Sequence, residues 1–127
     1  MIEDRIKTAS FAALPKLGEQ LDGAEFRGIL TKPDGTHVAV VFLGISEQDA
    51  DQPGLVEWAK SRGGELASRV VMQLLIASMT LPVGWYHTSE LYGASLAWRC
   101  DYDGYTYLDG RCAEGAGVAV RLIPLVA

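Results

Sequence analysis

The segment His37-Val38-Ala39-Val40-Val41-Phe42-Leu43 constrains the fold more than any other stretch of the chain. Side chains of a strand alternate between two faces, so a run that is apolar at successive positions hides both faces. Such a strand is central in a sheet and needs a neighbour on each side. The first neighbour is Glu25 to Thr31, joined to it through Lys32-Pro33-Asp34-Gly35, which carries the residues of a tight turn. Residues Met1 to Gln20 carry weak signals, and Pro15 stops any helix begun near Phe11.

After this hairpin the apolar period changes. A polar stretch from Ser46 to Asp51 leads to Pro53, a favoured first residue of a helix. Leu55, Val56, Trp58 and Ala59 form its apolar side, and Gly63-Gly64 ends it. Ser68 is placed to cap a second helix, with Val70, Val71, Leu74, Leu75 and Ser78 at three- and four-residue spacing, closed by Pro82 and Gly84. From Trp85 the helix period disappears. Leu96 to Tyr102 and Tyr105 to Leu108 flank Asp103-Gly104, a strong short hairpin signal, and Val118 to Leu122 reads as a last strand. Trp58, Leu74 and Trp98 are expected in the core. The order of hairpin, two helices and short antiparallel strands is α+β, and 127 residues suit one domain, 1–127.

Composition narrows the function. Hydrophobic residues make up 49% and charged residues 21%, which is globular rather than disordered. The net charge is −5 and Lys and Arg are scattered, so the basic stripe of a nucleic-acid binder is absent. Val70 to Leu81, the longest apolar segment, is interrupted by Gln73, Ser78 and Thr80, too short for the ~20 residues that span a bilayer. Met1 to Arg5 has neither the basic start nor the apolar run of a secretory signal. Synthesis in the cytoplasm is expected, with later incorporation into a virion left open. In that compartment Cys100 and Cys112 stay reduced.

Chemistry-bearing motifs are sparse. The spacing of Cys100 and Cys112 fits no zinc motif, and His37 and His87 belong to no recognisable triad. Asp101, Asp103 and Asp109 surround a turn that Asp-Gly already explains, so no metal or cofactor is expected. The aromatics are the anomaly. Seven of eleven (Trp85, Tyr86, Tyr92, Trp98, Tyr102, Tyr105 and Tyr107) fall between positions 85 and 107. If Asp103-Gly104 is a two-residue turn, Tyr102 faces Tyr105, Asp101 faces Thr106, Cys100 faces Tyr107 and Arg99 faces Leu108. Trp98, Cys100, Tyr102, Tyr105 and Tyr107 then share a face turned inward near Trp98. Arg99, Asp101, Thr106 and Leu108 share the other. The expected binding residues are Tyr86, His87, Arg99, Asp101, Thr106 and Leu108, with Tyr105 and Tyr107 beside the turn. Tyr, Ser, Gly, Asp and Arg are residue types that binding surfaces favour, although an ordinary small sheet with a polar outer face has the same pattern.

Three stretches carry a resemblance. They are Thr31-Lys32-Pro33-Asp34-Gly35-Thr36-His37-Val38-Ala39; Trp58-Ala59 with Gly63-Gly64-Glu65-Leu66-Ala67-Ser68-Arg69; and Trp85-Tyr86-His87-Thr88-Ser89-Glu90-Leu91-Tyr92 followed by Ala97-Trp98, Asp103-Gly104-Tyr105 and Ala119-Val120-Arg121. In order and spacing they resemble a phage and prophage domain family of unknown function with a C-type-lectin-like fold. The resemblance covers nearly the whole chain from Leu14 and extends to the variable proteins of diversity-generating retroelements, whose C-terminal side chains bind host or prey ligands. It implies a non-enzymatic protein that recognises a protein or other macromolecular ligand through its C-terminal strands, with self-association left open. The fold is more distantly similar to that of formylglycine-generating enzymes, which implies an oxidase as the alternative. Gly63 to Arg69 lacks the Pro and final Glu of their motif, and the cysteines are spaced differently. The calcium motifs of sugar-binding lectins are absent. A structural, self-associating subunit is the third reading.

Overall fold

The computed structural model describes residues 6–127. The signal-peptide reading of Met1 to Arg5 lies outside the described residues. The chain is α+β, with nine strands among the described residues and two helices. A short strand β1 (Ala9–Ser10) runs into a single 3-10 turn, Phe11–Ala13, and β2 (Gln20–Leu21) leads into the hairpin of β3 (Ala24–Thr31) and β4 (His37–Ile45). Helix α1 (Gln52–Ser61), the short β5 (Glu65–Leu66) and α2 (Arg69–Ser78) follow. The C-terminal half is β6 (Trp85–Tyr92), β7 (Leu96–Asp101), β8 (Thr106–Gly110) and β9 (Ala116–Val126).

The strands are ordered β2-β3-β4-β9-β6-β7-β8, with β1 and β5 also pairing with β9. The apolar strand β4 is central, as its composition requires, held between β3 and β9. Val38, Ala39, Val40 and Val41 are all buried. β9 has the same character through Val118, Ala119 and Val120, and at eleven residues it outruns the expected 118–122. Proline usually ends a central strand. Here Pro124 is exposed near the strand end, and Leu125 and Val126 still find a parallel partner in β1.

Both helices are capped by the polar residue that precedes them. The Asp51 carboxylate accepts from the Gly54 amide at 2.9 Å, and the Ser68 hydroxyl accepts from the Val71 amide at 3.3 Å. α2 packs Val71, Met72 and Leu75 against Val40, Val118, Val120, Tyr86 and Cys100, the largest core cluster. Its buried side is therefore rotated from the expected stripe, since Val70 is 53% exposed and Leu74 only half-buried. Trp58 and Trp98 are half-buried as well, and each lies beneath an arginine, Arg62 and Arg69 respectively. The core proper is mainly aliphatic, with Phe26 and Tyr86 as its buried aromatic residues.

Candidate functional site

The hairpin of β7 and β8 sets the site, and its register differs by one residue from the sequence expectation. The pairs are Cys100 with Thr106, Arg99 with Tyr107, Trp98 with Leu108 and Ala97 with Asp109. The loop holds three residues, not two. The Gly104 amide donates to the Asp101 carbonyl at 3.0 Å, the Asp101 amide donates to the Tyr105 carbonyl at 2.8 Å, and Gly104 takes a φ of +98°. This is a type I turn closed by a residue in the left-handed region, the common three-residue hairpin. Asp103 and Gly104 are its second and third residues.

Residues opposite one another in a sheet share a face, so a one-residue slip exchanges the two sets. Thr106 and Leu108 join Trp98 and Cys100 on the side that faces α2. Arg99 and Asp101 join Tyr105 and Tyr107 on the other. Two rows cross β6, β7 and β8 on this outer face: Trp85, Asp101 and Tyr105, then His87, Arg99 and Tyr107. The expected division into an inward aromatic face and a mixed outer face is replaced by one outer face that holds both kinds of residue.

The two rows are tied together by diagonal contacts. The Arg99 guanidinium carbon lies 3.8 Å from the Trp85 ring centroid and 4.7 Å from that of Tyr107, and the group pairs with the Asp109 carboxylate. Cation–π contacts contribute about 0.5–2 kcal/mol according to exposure. The Tyr107 hydroxyl donates to Asp101 at 3.0 Å. Burial pushes that hydroxyl's pKa above its ordinary value, and the Asp101 bond adds to the effect, so Tyr107 stays a donor at neutral pH. Tyr105 leans on Tyr107 at 6.0 Å between centroids and is 69% exposed. The Arg99 side chain is 14% exposed, and among the described residues its Nε has no hydrogen-bond partner. The result is a rigid aromatic platform with a charged seam.

Two expected contact residues are not on the surface. Tyr86 is buried in the α2 core and donates its hydroxyl to the Pro82 carbonyl at 2.6 Å. Burial raises its pKa. His87 belongs to the outer face but is fully buried beneath the segment after β8, with Nε2 2.6 Å from the Ala113 carbonyl. A carbonyl can only accept, so Nε2 is the donor; among the described residues Nδ1 has no hydrogen-bond partner. Both residues support the platform. Thr106 instead lines a hollow of about 570 Å³ with Ser68, Arg69, Val70, Gln73 and Glu90, on the side of the sheet away from Arg99. Leu108 is half-buried opposite Trp98. Trp85 and Asp109 complete the platform but were not among the expected binding residues; the correct register alone would have exposed Asp109.

The carboxylates do not converge as a cation site. Asp101 accepts from Tyr107, and Asp109 accepts from Arg99 and from the Gly110 amide. Among the described residues no group of three or more His, Cys, Asp or Glu is placed to hold a metal. Cys100 and Cys112 are free, the first buried and the second exposed. Burial pushes the Cys100 thiol up to about 11, with Asp101 and Asp103 adding to it. No helix among the described residues is long and apolar enough to cross a membrane. No protein family, curated protein or solved structure matches the chain.

Proposed function

We propose that this chain is a non-enzymatic recognition protein of phage or prophage origin, built on a C-type-lectin-like fold, that binds a macromolecular ligand through the outer face of β6, β7 and β8. The observation that carries this reading is Arg99 held between Trp85 and Tyr107, with Tyr105 exposed beside them. Trp, Tyr and Arg dominate binding hot spots, and rigid rings lose little entropy when they are covered. Strands hold Trp85, Arg99 and Tyr107, so that part of the constellation is pre-organised for contact, with Tyr105 at the edge of the turn. The order of hairpin, two helices and short strands agrees with the fold the sequence resembles. The position of the platform also suits the diversified region of a retroelement variable protein.

The oxidase reading is weaker. A reactive cysteine needs thiolate character, and the Cys100 thiol, with a pKa near 11, is protonated at neutral pH.

Fluorescently labelled protein applied to a panel of bacterial cells tests the proposal. Wild type is expected to stain at least one strain. A hot-spot loss of about 2 kcal/mol should reduce that affinity roughly thirtyfold in R99A and in Y105A. T106A, on the opposite face, should stain like wild type. Exposed Tyr105 contributes little to the fold, so Y105A should stay within about ±0.5 kcal/mol of wild-type stability. Undiminished staining by R99A and Y105A, or no staining of any strain, would overturn the reading. A reverse transcriptase and a near-repeat of the 3′ coding sequence beside the gene would establish the retroelement refinement.

A further inference from the structure

Beside the platform is a hollow of about 290 Å³, lined by Trp85, Tyr86 and Ile45, with the exposed Pro82 and Val83 at its edge. Its charged lining is Asp49 and Glu114 alone, with no basic side chain. Among the described residues neither carboxylate has an ion-pair or hydrogen-bonding partner for its side chain. Their two loops are clamped together by paired backbone bonds, Ala50 amide to Gly115 carbonyl at 3.0 Å and Gly115 amide to Ala50 carbonyl at 2.9 Å. The backbone of the two carboxylate-bearing loops is therefore held in place before anything enters the hollow. At 290 Å³ it lies just below the usual range for drug-sized ligands, about 300–1,000 Å³. It suits one side chain better than an oligosaccharide.

We infer that this hollow receives a lysine or arginine side chain of the macromolecule bound by the neighbouring platform. Such a side chain lays an apolar stem on apolar walls while its charged head stays near water and counter-ions. Ile45, Pro82, Val83 and the Trp85 ring match the stem; Asp49 and Glu114 match the head. The surroundings agree in sign. Asp101 and Asp103 add negative charge to the face. Among the described residues the cation on this face, Arg99, is paired with Asp109, and Arg111 is engaged with the Ala94 carbonyl at the other end of the hairpin. Asp49 also borders a hollow beside Trp58, but there Arg62 supplies a cation of its own, 6.0 Å from the indole. The partner is thus a basic protein surface.

This inference rests on the recognition reading of the platform, and its test separates the two. The chain has three tryptophans, at positions 58, 85 and 98, so three indole N–H signals report on three places in a nitrogen–proton correlation spectrum. The probes are acetyl-Gly-Arg-Gly-amide and acetyl-Gly-Glu-Gly-amide. The arginyl peptide is expected to move the Trp85 signal alone, and the glutamyl peptide none. In D49N/E114Q the half-saturation concentration should rise at least fivefold. In E57Q/E65Q, which changes the net charge equally on exposed residues elsewhere, it should change less than twofold. No Trp85 response to the arginyl peptide, an equal response to the glutamyl peptide, movement at Trp58 instead, or a D49N/E114Q titration like wild type each overturns the cation inference. If cells then still lose staining with R99A and Y105A, the platform reading survives it. A Trp85 response as expected, with staining unaffected by R99A and Y105A, overturns the platform reading instead.

Discussion

Replacing Gly115 by alanine tests whether Trp85 is locked in the position that the platform requires. A Cβ at this residue would lie 2.6 Å from Trp85 Cζ3, 2.8 Å from Cζ2 and closer still to Cη2. Carbon atoms pack at about 3.5–4.0 Å, so the ring would have to retreat by about 1 Å. Arg99 stacks on it and His87 meets it edge-on at 5.1 Å, so any retreat is toward the neighbouring hollow and breaks one or both contacts. Gly115 has no positive φ, so the backbone itself would accept alanine and the conflict is purely one of space. Overpacking costs about 1–3 kcal/mol. Partial loss of the Arg99 stack adds about 0.5–1 kcal/mol, offset by about 0.5 kcal/mol from the stiffer unfolded chain. We expect G115A to lose about 1–3.5 kcal/mol in urea denaturation, with a fall in Tm of roughly 3–5 °C per kcal/mol. The decisive measurement is the double-mutant cycle with W85A. If steric conflict with the indole is the cause, G115A should cost less than about 0.5 kcal/mol once the ring is gone. An equal cost in both backgrounds would refute the reasoning and place the strain in the Ala50–Gly115 backbone pairing instead.

Two other perturbations read the turn and the core. Gly104→Ala should cost about 1–2 kcal/mol, because its φ of +98° is unfavourable for an L residue and its Cβ would meet Gln73 Oε1 at 3.1 Å; urea denaturation measures it, and a neutral result would mean that the loop is not the three-residue turn described. Cys100, raised from 9.0 to about 11, stays protonated in the folded state while the unfolded chain ionises it. Stability from this group is therefore complete below pH 9 and is lost as the pH rises toward 11. Removing the thiol in C100A should flatten the pH-dependence of unfolding over that window, and at pH 8 iodoacetamide should modify Cys112 while sparing Cys100 in native protein.

Much of the scaffold was legible because its signals are local. Pro53 and Ser68 mark helix starts, since only backbone groups within one turn are involved, and both helices begin within a residue of the expected place. The centrality of β4 followed from composition alone. What escaped depends on partners distant in the chain. Met72 is buried and Val70 exposed because α2 meets β4, β6 and β9 at an angle that helical spacing does not encode. The last strand outruns the expected Leu122 because nothing local announces that β1, more than a hundred residues earlier, pairs with Leu125 and Val126.

The site turned on a subtler ambiguity. Asp-Gly occurs in three hairpins: Asp22-Gly23 builds a two-residue turn between β2 and β3, with φ of +54° and +80°, whereas the structure builds the longer loops at Asp34-Gly35 and Asp103-Gly104 alike. The Gly35 amide donates to the Lys32 carbonyl at 2.9 Å, and Lys32 and Thr36 close the loop at 2.8 Å, with Gly35 at a φ of +85°. In the first of these longer loops Pro33 announces this geometry, because proline fixes the φ of the first central residue of a type I turn. In the second, Tyr102 occupies that place and announces nothing. A two-residue turn would need a positive φ at Asp103 as well as Gly104, whereas the three-residue loop puts only Gly104 there. That one residue of loop length decides which side chains meet. With it, Arg99 stands beside Tyr107 and diagonal to Trp85, and its charge is shared among two rings and Asp109. Without it, Arg99 would face Leu108, with no ring across the strand. The chemistry of the outer face is thus set at Gly104, where the left-handed backbone costs glycine least.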